Sequence, residues 1–191
     1  MKNLPYRLVL ASKSPRRQQL LRDLGVDFTV RTADIPEDYP ADLPKTEVAR
    51  YLAEKKALAH QPNLAPDEVI LTSDTTVVLD NRLLEKAADA EEAKTMLQAL
   101  SGRTHQVITG VCLAGPTRLE SFDDTTEVTF RTLTEAEMDY YIATYAPFDK
   151  AGAYGIQEWI GMIGVEHMSG SYFTVMGLPT HRVFQALQTW S

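Results

Sequence analysis

The chain has 191 residues, 44% of them hydrophobic and 24% charged, which is enough for one full core and ordinary for a globular protein. A net charge of −7 and a pI near 5.1 exclude a general nucleic-acid-binding surface, though not a local basic pocket for a small polyanion. The single Cys112 cannot close an intrachain disulfide, and no apolar run reaches the length of a signal-peptide core or a membrane span, so a cytoplasmic protein is expected.

Residues 8–11 form a short apolar run, readable as a buried strand. The run breaks at Ser12-Lys13-Ser14, and Pro15 then suits the first position of a helix to about Leu24, because a proline lacks the N–H that would be unpaired there. Backbone N–H groups of the turn, the Ser12 and Ser14 hydroxyls, Arg16 and Arg17 converge on one spot. This is the pattern of an anion site, with polyphosphate the obvious anion. A capped surface helix with two solvated arginines fits the local features equally well. Residues 28–31 read as a second strand. Residues 33–44 hold Pro36, Pro40 and Pro44 with acidic Asp34, Glu37 and Asp38, and must be a loop. A helix follows over 45–60, with Val48, Tyr51, Leu52 and Ala53 as its apolar stripe and Lys55 and Lys56 at its far end.

Residues 69–73 are a buried strand, and Asp74 stands where that run turns polar. Residues 75–80 continue extended, and Asp80-Asn81-Arg82 offers a hairpin turn into 83–86. Asp89 caps a helix running to Leu100, which Gly102 ends. Two long strands follow over 105–114 and 119–132, with Gly115-Pro116 as the turn; Cys112 lies in the first of them, where packing is its natural role. Thr134-Glu135-Ala136-Glu137 is a capping box that starts a helix to about Tyr145. A loop over 146–157, strands at 160–167 and 171–175, and a helix from Thr180 complete the chain. The order predicts an α/β fold with a mixed sheet flanked by helices, in one domain over residues 1–191.

Asp74 is the strongest single candidate for chemistry. A carboxylate at the carboxyl end of an apolar strand, followed by Thr75-Thr76, stands where open α/β sheets place ligands. It can hold a divalent metal or take a proton from attacking water; an Asp that merely turns the chain is the competing reading. Lys56 and Lys86 can supply point charges to phosphate oxygens, although a helix C-terminus and a strand edge suit lysine on structural grounds alone. Glu37 and Asp38 can add metal ligands or simply face water. His60, His105, His167 and His181 show no metal-ligand spacing and receive no role. The P-loop, dinucleotide-binding and nucleophile-elbow motifs are all missing, so phosphate binding falls to the Ser-x-Ser-Pro-Arg-Arg turn.

Leu10-Ala11-Ser12-Lys13-Ser14-Pro15-Arg16-Arg17 resembles the signature of the Maf family of nucleoside triphosphate pyrophosphatases. Further matches are Ser73-Asp74-Thr75, Leu84-Glu85-Lys86, Leu100-Ser101-Gly102, Val128-Thr129-Phe130-Arg131, Asp149–Gln157 and Gly177-Leu178-Pro179, in the family's order and across nearly the whole chain. The resemblance implies a Maf/Ham1-like fold, an elongated mixed sheet with two lobes around a central cleft. It implies hydrolysis between the α and β phosphates with a divalent cation, magnesium or manganese. Asp74 takes the position of the family's proton acceptor. Ser12, Arg17, Lys56 and Lys86 fall on positions lining the triphosphate, and Glu37 on an acidic position near the metal, which Asp74 would share. The proline usual after the Leu-Glu-Lys lysine is Ala87 here.

Three positions separate the family's branches. The branch acting on dTTP and UTP is similar to this chain in having Arg, Thr and Gln where Arg16, Thr75 and Gln157 stand; its sibling acting on 7-methyl-GTP has Trp, Gln and Glu. A glutamine amide can meet a donor–acceptor pair on the edge of thymine or uracil, whereas a methylated, cationic guanine suits a stacking Trp and a Glu. A one-residue slip onto Glu158 would change this assignment. The partner implied is a small nucleotide, with neither nucleic acid nor membrane; a homodimer stays open. The alternatives are a house-cleaning pyrophosphatase for modified nucleotides and a nucleotide-binding regulator of septum formation.

Overall fold

A computed structural model describes residues 4–190. Its elements are β1 (Arg7–Leu10), α1 (Pro15–Asp23), β2 (Thr29–Val30), α2 (Val48–His60), β3 (Glu68–Leu79), β4 (Arg82–Leu84), α3 (Ala90–Leu100), β5 (Thr104–Ala114), β6 (Leu119–Phe130), α4 (Glu135–Tyr145), α5 (Trp159–Gly164), β7 (Val165–Ser169), α6 (Tyr172–Val175) and α7 (Thr180–Thr189). The strands are hydrogen-bonded in the order β2-β1-β3-β5-β6-β7, with β4 on β3. Pairing is parallel for β1 with β2 and β3, and antiparallel for β3 with β4 and for β6 with β7. The α/β class and the mixed sheet are as expected. Among the described residues no helix is long and apolar enough to cross a membrane.

The chain divides into two compact units. The first holds the described residues up to Asp74, Thr109–Asp124 and those from Gly177 onward. Its frame is the parallel pairing of β1 with β3, in register from Arg7↔Glu68 to Leu10↔Leu71. Val9, Leu10, Ile70 and Leu71 are fully buried, the continuous apolar run of strands covered on both faces. Helix α2 reaches this frame through small side chains: Val9, Ala53, Ala57, Ile70, Cys112 and Ala114 form one core cluster. The Thr72 hydroxyl donates to the Ala53 carbonyl at 2.7 Å. Gly110 on β5 permits an even closer approach, because a Cβ there would overlap the Ala49 carbonyl group and the Arg50 nitrogen. Burial, with the Glu54 carboxylate adding to it, pushes the Cys112 thiol up to about 12, so this residue packs and does not react.

The second unit holds Thr75–Ile108 and Thr125–Met176. Asp80 and Asn81, at φ 49° and 60°, make the left-handed two-residue turn between β3 and β4. Asp89 caps α3 by accepting from the Glu92 N–H at 2.9 Å, and the Thr134–Glu137 capping box starts α4. The core gathers Leu97, Leu100, Phe130, Tyr141 and Ile160. His105 bonds the Tyr154 hydroxyl at 2.7 Å, and burial pushes its imidazole down to about 4, so it is a neutral packing group.

Three expected elements are corrected. Asp74 does not sit at a strand end: β3 runs on from Glu68 to Leu79, because β-branched Thr75 and Thr76 lead without a breaker into Val77-Val78-Leu79. The expected strand over 160–167 is α5 followed by β7. Its apolar run satisfies either period, and Gly161 packs where a Cβ would overlap the Ile156 carbonyl, a tight turn that an extended chain does not make. The expected strand over 171–175 is the short α6, since Gly170 turns the chain at φ 130° immediately after β7.

Candidate active site

Pairing of β1 with β3 ends at Leu10↔Leu71, so both Ser12 and Asp74 lie past the carboxyl end of β1. That end of a parallel pair is where open α/β sheets offer a ligand site, although Asp74 itself is in the middle of β3. The turn after β1 is shaped from within. The Ser12 hydroxyl accepts from the Ser14 N–H at 3.2 Å, the Ser14 hydroxyl caps α1 by accepting from the Arg17 N–H at 3.4 Å, and the Gln18 amide donates to the Ser12 carbonyl. Each serine hydroxyl accepts in these bonds, which leaves its O–H proton for an anion. Arg17 donates through Nε to the Gly177 carbonyl at 2.8 Å, and Ser73 donates to the same oxygen at 3.1 Å. Burial draws the Arg17 guanidinium below its usual range; Asp74 and Glu37 oppose that shift, and Arg16 adds to it.

Lys56, near the end of α2, joins the two carboxylates. Its ammonium donates to Asp74 Oδ1 and Glu37 Oε1, each at 2.8 Å. The Lys56 and Asp74 side chains are only 16% and 14% exposed, so the pair acts in a medium that screens it little. The proline-rich loop is fastened by further ion pairs, Lys13 to Asp34 and Lys55 to Asp38, both at 2.7 Å. Asp38 is thereby turned to Lys55, whereas Glu37 converges on Asp74. Asp74 and Glu37 aimed at one cation form a donor set that fits magnesium or manganese, which take one or two carboxylates and complete their shell from water and substrate phosphate. Among the described residues no group of three or more His, Cys, Asp or Glu is arranged to hold a metal by itself.

The second unit carries Thr75, Lys86 and Gln157. Lys86 is exposed just beyond β4 and bridges to Ala151, where Gly152 donates to the Leu84 carbonyl at 3.0 Å. Gln157 lies in a turn closed by the Glu158 N–H on the Gly155 carbonyl at 3.0 Å. The neighbouring Glu158 carboxylate is directed to Tyr141 and Lys150.

A family model described as Maf-like protein matches residues 7–190. The chain belongs to the Maf family. Three relatives bear the name dTTP/UTP pyrophosphatase. The Phocaeicola vulgatus protein is 51% identical, and those of Bacteroides thetaiotaomicron and Flavobacterium johnsoniae are each 47% identical. Each match spans 96% of this chain and 95% of the relative. Within this Maf chain the structure brings Ser12, Arg17, Glu37, Lys56 and Asp74 together in the first unit. Sequence reasoning assigned nothing individually to Gly177, whose carbonyl anchors Arg17; the Gly177-Leu178-Pro179 match was the available signal. It also passed over Tyr141, for which only the apolar face Met138-Tyr141-Ile142 of α4 gave a hint, and gave no role of its own to Lys150, which lies in the Asp149–Gln157 match.

Proposed function

We propose that this chain hydrolyses dTTP and UTP at the α–β anhydride, releasing the nucleoside monophosphate and pyrophosphate. The observation that carries the reading is the Lys56 ammonium held between Asp74 and Glu37 past the carboxyl end of β1, in a chain 51% identical to a dTTP/UTP pyrophosphatase. Ser12, Arg17 and Lys56 hold the triphosphate, and Lys86 adds a further point charge. Asp74 accepts the proton of the attacking water as the new P–O bond forms and the bridging oxygen departs with pyrophosphate. A magnesium or manganese ion on Asp74 and Glu37 would supply charge neutralisation for the anionic reactants. Arg16 and Gln157 read the pyrimidine edge, and Thr75 shapes the pocket beside Asp74. We place the protein in the cytoplasm with its nucleotide pool, acting without nucleic acid.

A substrate panel read by released pyrophosphate tests this. dTTP and UTP are expected to be hydrolysed well above GTP and 7-methyl-GTP, and activity to vanish on exhaustive chelation and return with magnesium or manganese. Gln157→Glu should damage dTTP hydrolysis more than that of the guanine nucleotides, because a carboxylate has no N–H for a carbonyl oxygen. Full activity after chelation, or a substrate ratio unmoved by Gln157→Glu, contradicts the corresponding assignment. Lys86 is exposed, so Lys86→Ala should leave the melting temperature unchanged while kcat/KM falls by roughly 10- to 100-fold, the worth of one charged contact to phosphate. A lowered Tm with unchanged kcat/KM per folded molecule would instead make Lys86 structural.

A further inference from the structure

Behind the Gln157 turn lies a buried polar network that the reaction itself does not use. Tyr141, on α4, is fully buried and stacked on Tyr145 at 5.1 Å between ring centres. Its hydroxyl donates to Glu158 Oε2 and accepts from the Gly155 N–H, the latter at 3.0 Å. The other Glu158 oxygen, Oε1, lies 3.2 Å from the Lys150 ammonium, which also bonds Asp149 at 2.6 Å and is itself buried. Both ends of the 155–158 turn are therefore tied to one phenol, and the Gly155 carbonyl to Glu158 N–H bond closes it. Between those ends Ile156 is buried and Gln157 is partly exposed. Gly155 has no side chain because that space is filled. A Cβ there would stand 2.8 Å from Glu158 Cδ and 3.0 Å from Gln157 Nε2. The turn fixes the backbone at Gln157 and with it the point from which the side chain leaves.

A phenylalanine would fill the same volume at position 141 without burying a hydroxyl, and an apolar residue could replace the buried Lys150. Buried polar groups of this kind add little to stability when satisfied and are best explained by the geometry that they impose. We propose that Tyr141, Glu158 and Lys150 are positioning residues for nucleobase selection. They hold the 155–158 turn so that the Gln157 amide is pre-aimed at the pyrimidine edge. The proposal rests on the dTTP/UTP reading given above and deepens it. Held this way, the side chain leaves a fixed backbone, so only its own torsions are ordered when a base binds.

The test is a double-variant cycle on the ratio of kcat/KM for UTP to that for GTP, with folding checked by circular dichroism and thermal melting. The ratio is expected to fall roughly 10-fold in Gln157→Ala and by about as much in Tyr141→Phe, and no further in the double variant, as for two residues acting as one unit. A purely structural Tyr141 would lower Tm and scale both substrates alike, leaving the ratio where it was. Should Tyr141→Phe not fold, Glu158→Gln takes its place with the same expectation, since it keeps size and an acceptor but loses the charge facing Lys150. If Gln157→Ala lowers the ratio while the folded Tyr141→Phe and Glu158→Gln proteins keep it, the positioning role is overturned and the base reading stands. Losses that multiply in the double variant also overturn it, because Tyr141 would then act apart from Gln157. An unmoved ratio in Gln157→Ala removes the base reading and this proposal together.

Discussion

Asp74→Asn is expected to melt within about 2 °C of the parent protein and to lose roughly 10²-fold or more of its turnover on dTTP and UTP, the scale of a lost general base. The side chain stands in the middle of β3 and is mostly buried against Lys56. Asparagine has the same size, its Oδ1 can still accept from the Lys56 ammonium, and the backbone pairing of β3 is indifferent to the exchange. Lys56 also keeps Glu37 at 2.8 Å, so no buried cation is stranded. Only the negative charge and the capacity to take a proton are removed. The loss should therefore appear in kcat far more than in KM, because the charges that hold the triphosphate remain. Stopped assays on the folded variant decide it: turnover near that of the parent would take Asp74 out of the chemistry, and a protein that melts early would show that the carboxylate serves the fold.

Local chemistry made most of this molecule legible from its residues. Ser14 before Pro15, Thr134 three residues before Glu137, and Asp80-Asn81 between apolar runs each fix a short stretch of backbone through a bond or a dihedral that the residue itself supplies, and each is found as read. The apolar run Trp159–Gly164 misled because Ile160, Ile163 and Val165 satisfy a strand as readily as a helical turn; what decides is the contact of Gly161 with the Ile156 carbonyl, which periodicity does not report. The candidate site divides in the same way. Asp74, Lys56 and Glu37 were each visible as a charge in a telling place, but their convergence needs a parallel pair of β1 with β3, whose partners are 61 residues apart, and contacts of Lys56 with residues 18 and 19 positions away. Tyr141 gave no sign of its partners, since a tyrosine on the buried face of a helix reads as core, and only the fold brings Glu158 and the Gly155 N–H to its hydroxyl.

Gly110→Ala should be among the most damaging single-methyl additions available to this chain. Position 110 faces the backbone of α2, and the new Cβ would overlap the Ala49 carbonyl and the Arg50 nitrogen. A rotamer change cannot relieve a clash with main chain, so helix and strand must separate. That opens the packing of Ala53 and Ala57 on Val9, Ile70 and Cys112, a cluster that depends on the close approach of small side chains. Overpacking of this kind costs about 3 kcal/mol or more, which in a chain of this size lowers Tm by roughly 6–12 °C. The effect should reach the chemistry as well, because α2 carries Lys56, and a helix displaced from β5 draws that ammonium away from Asp74. kcat/KM per folded molecule is thus expected to fall at a temperature where the variant is still native. Gly115→Ala supplies the matched control. The same methyl group there meets Trp190 at 3.4 Å and the Glu68 carbonyl at 3.9 Å, ordinary contact distances, and should leave both Tm and activity near their starting values. Equal melting temperatures for the two alanine variants would show that α2 is not held against β5 at Gly110.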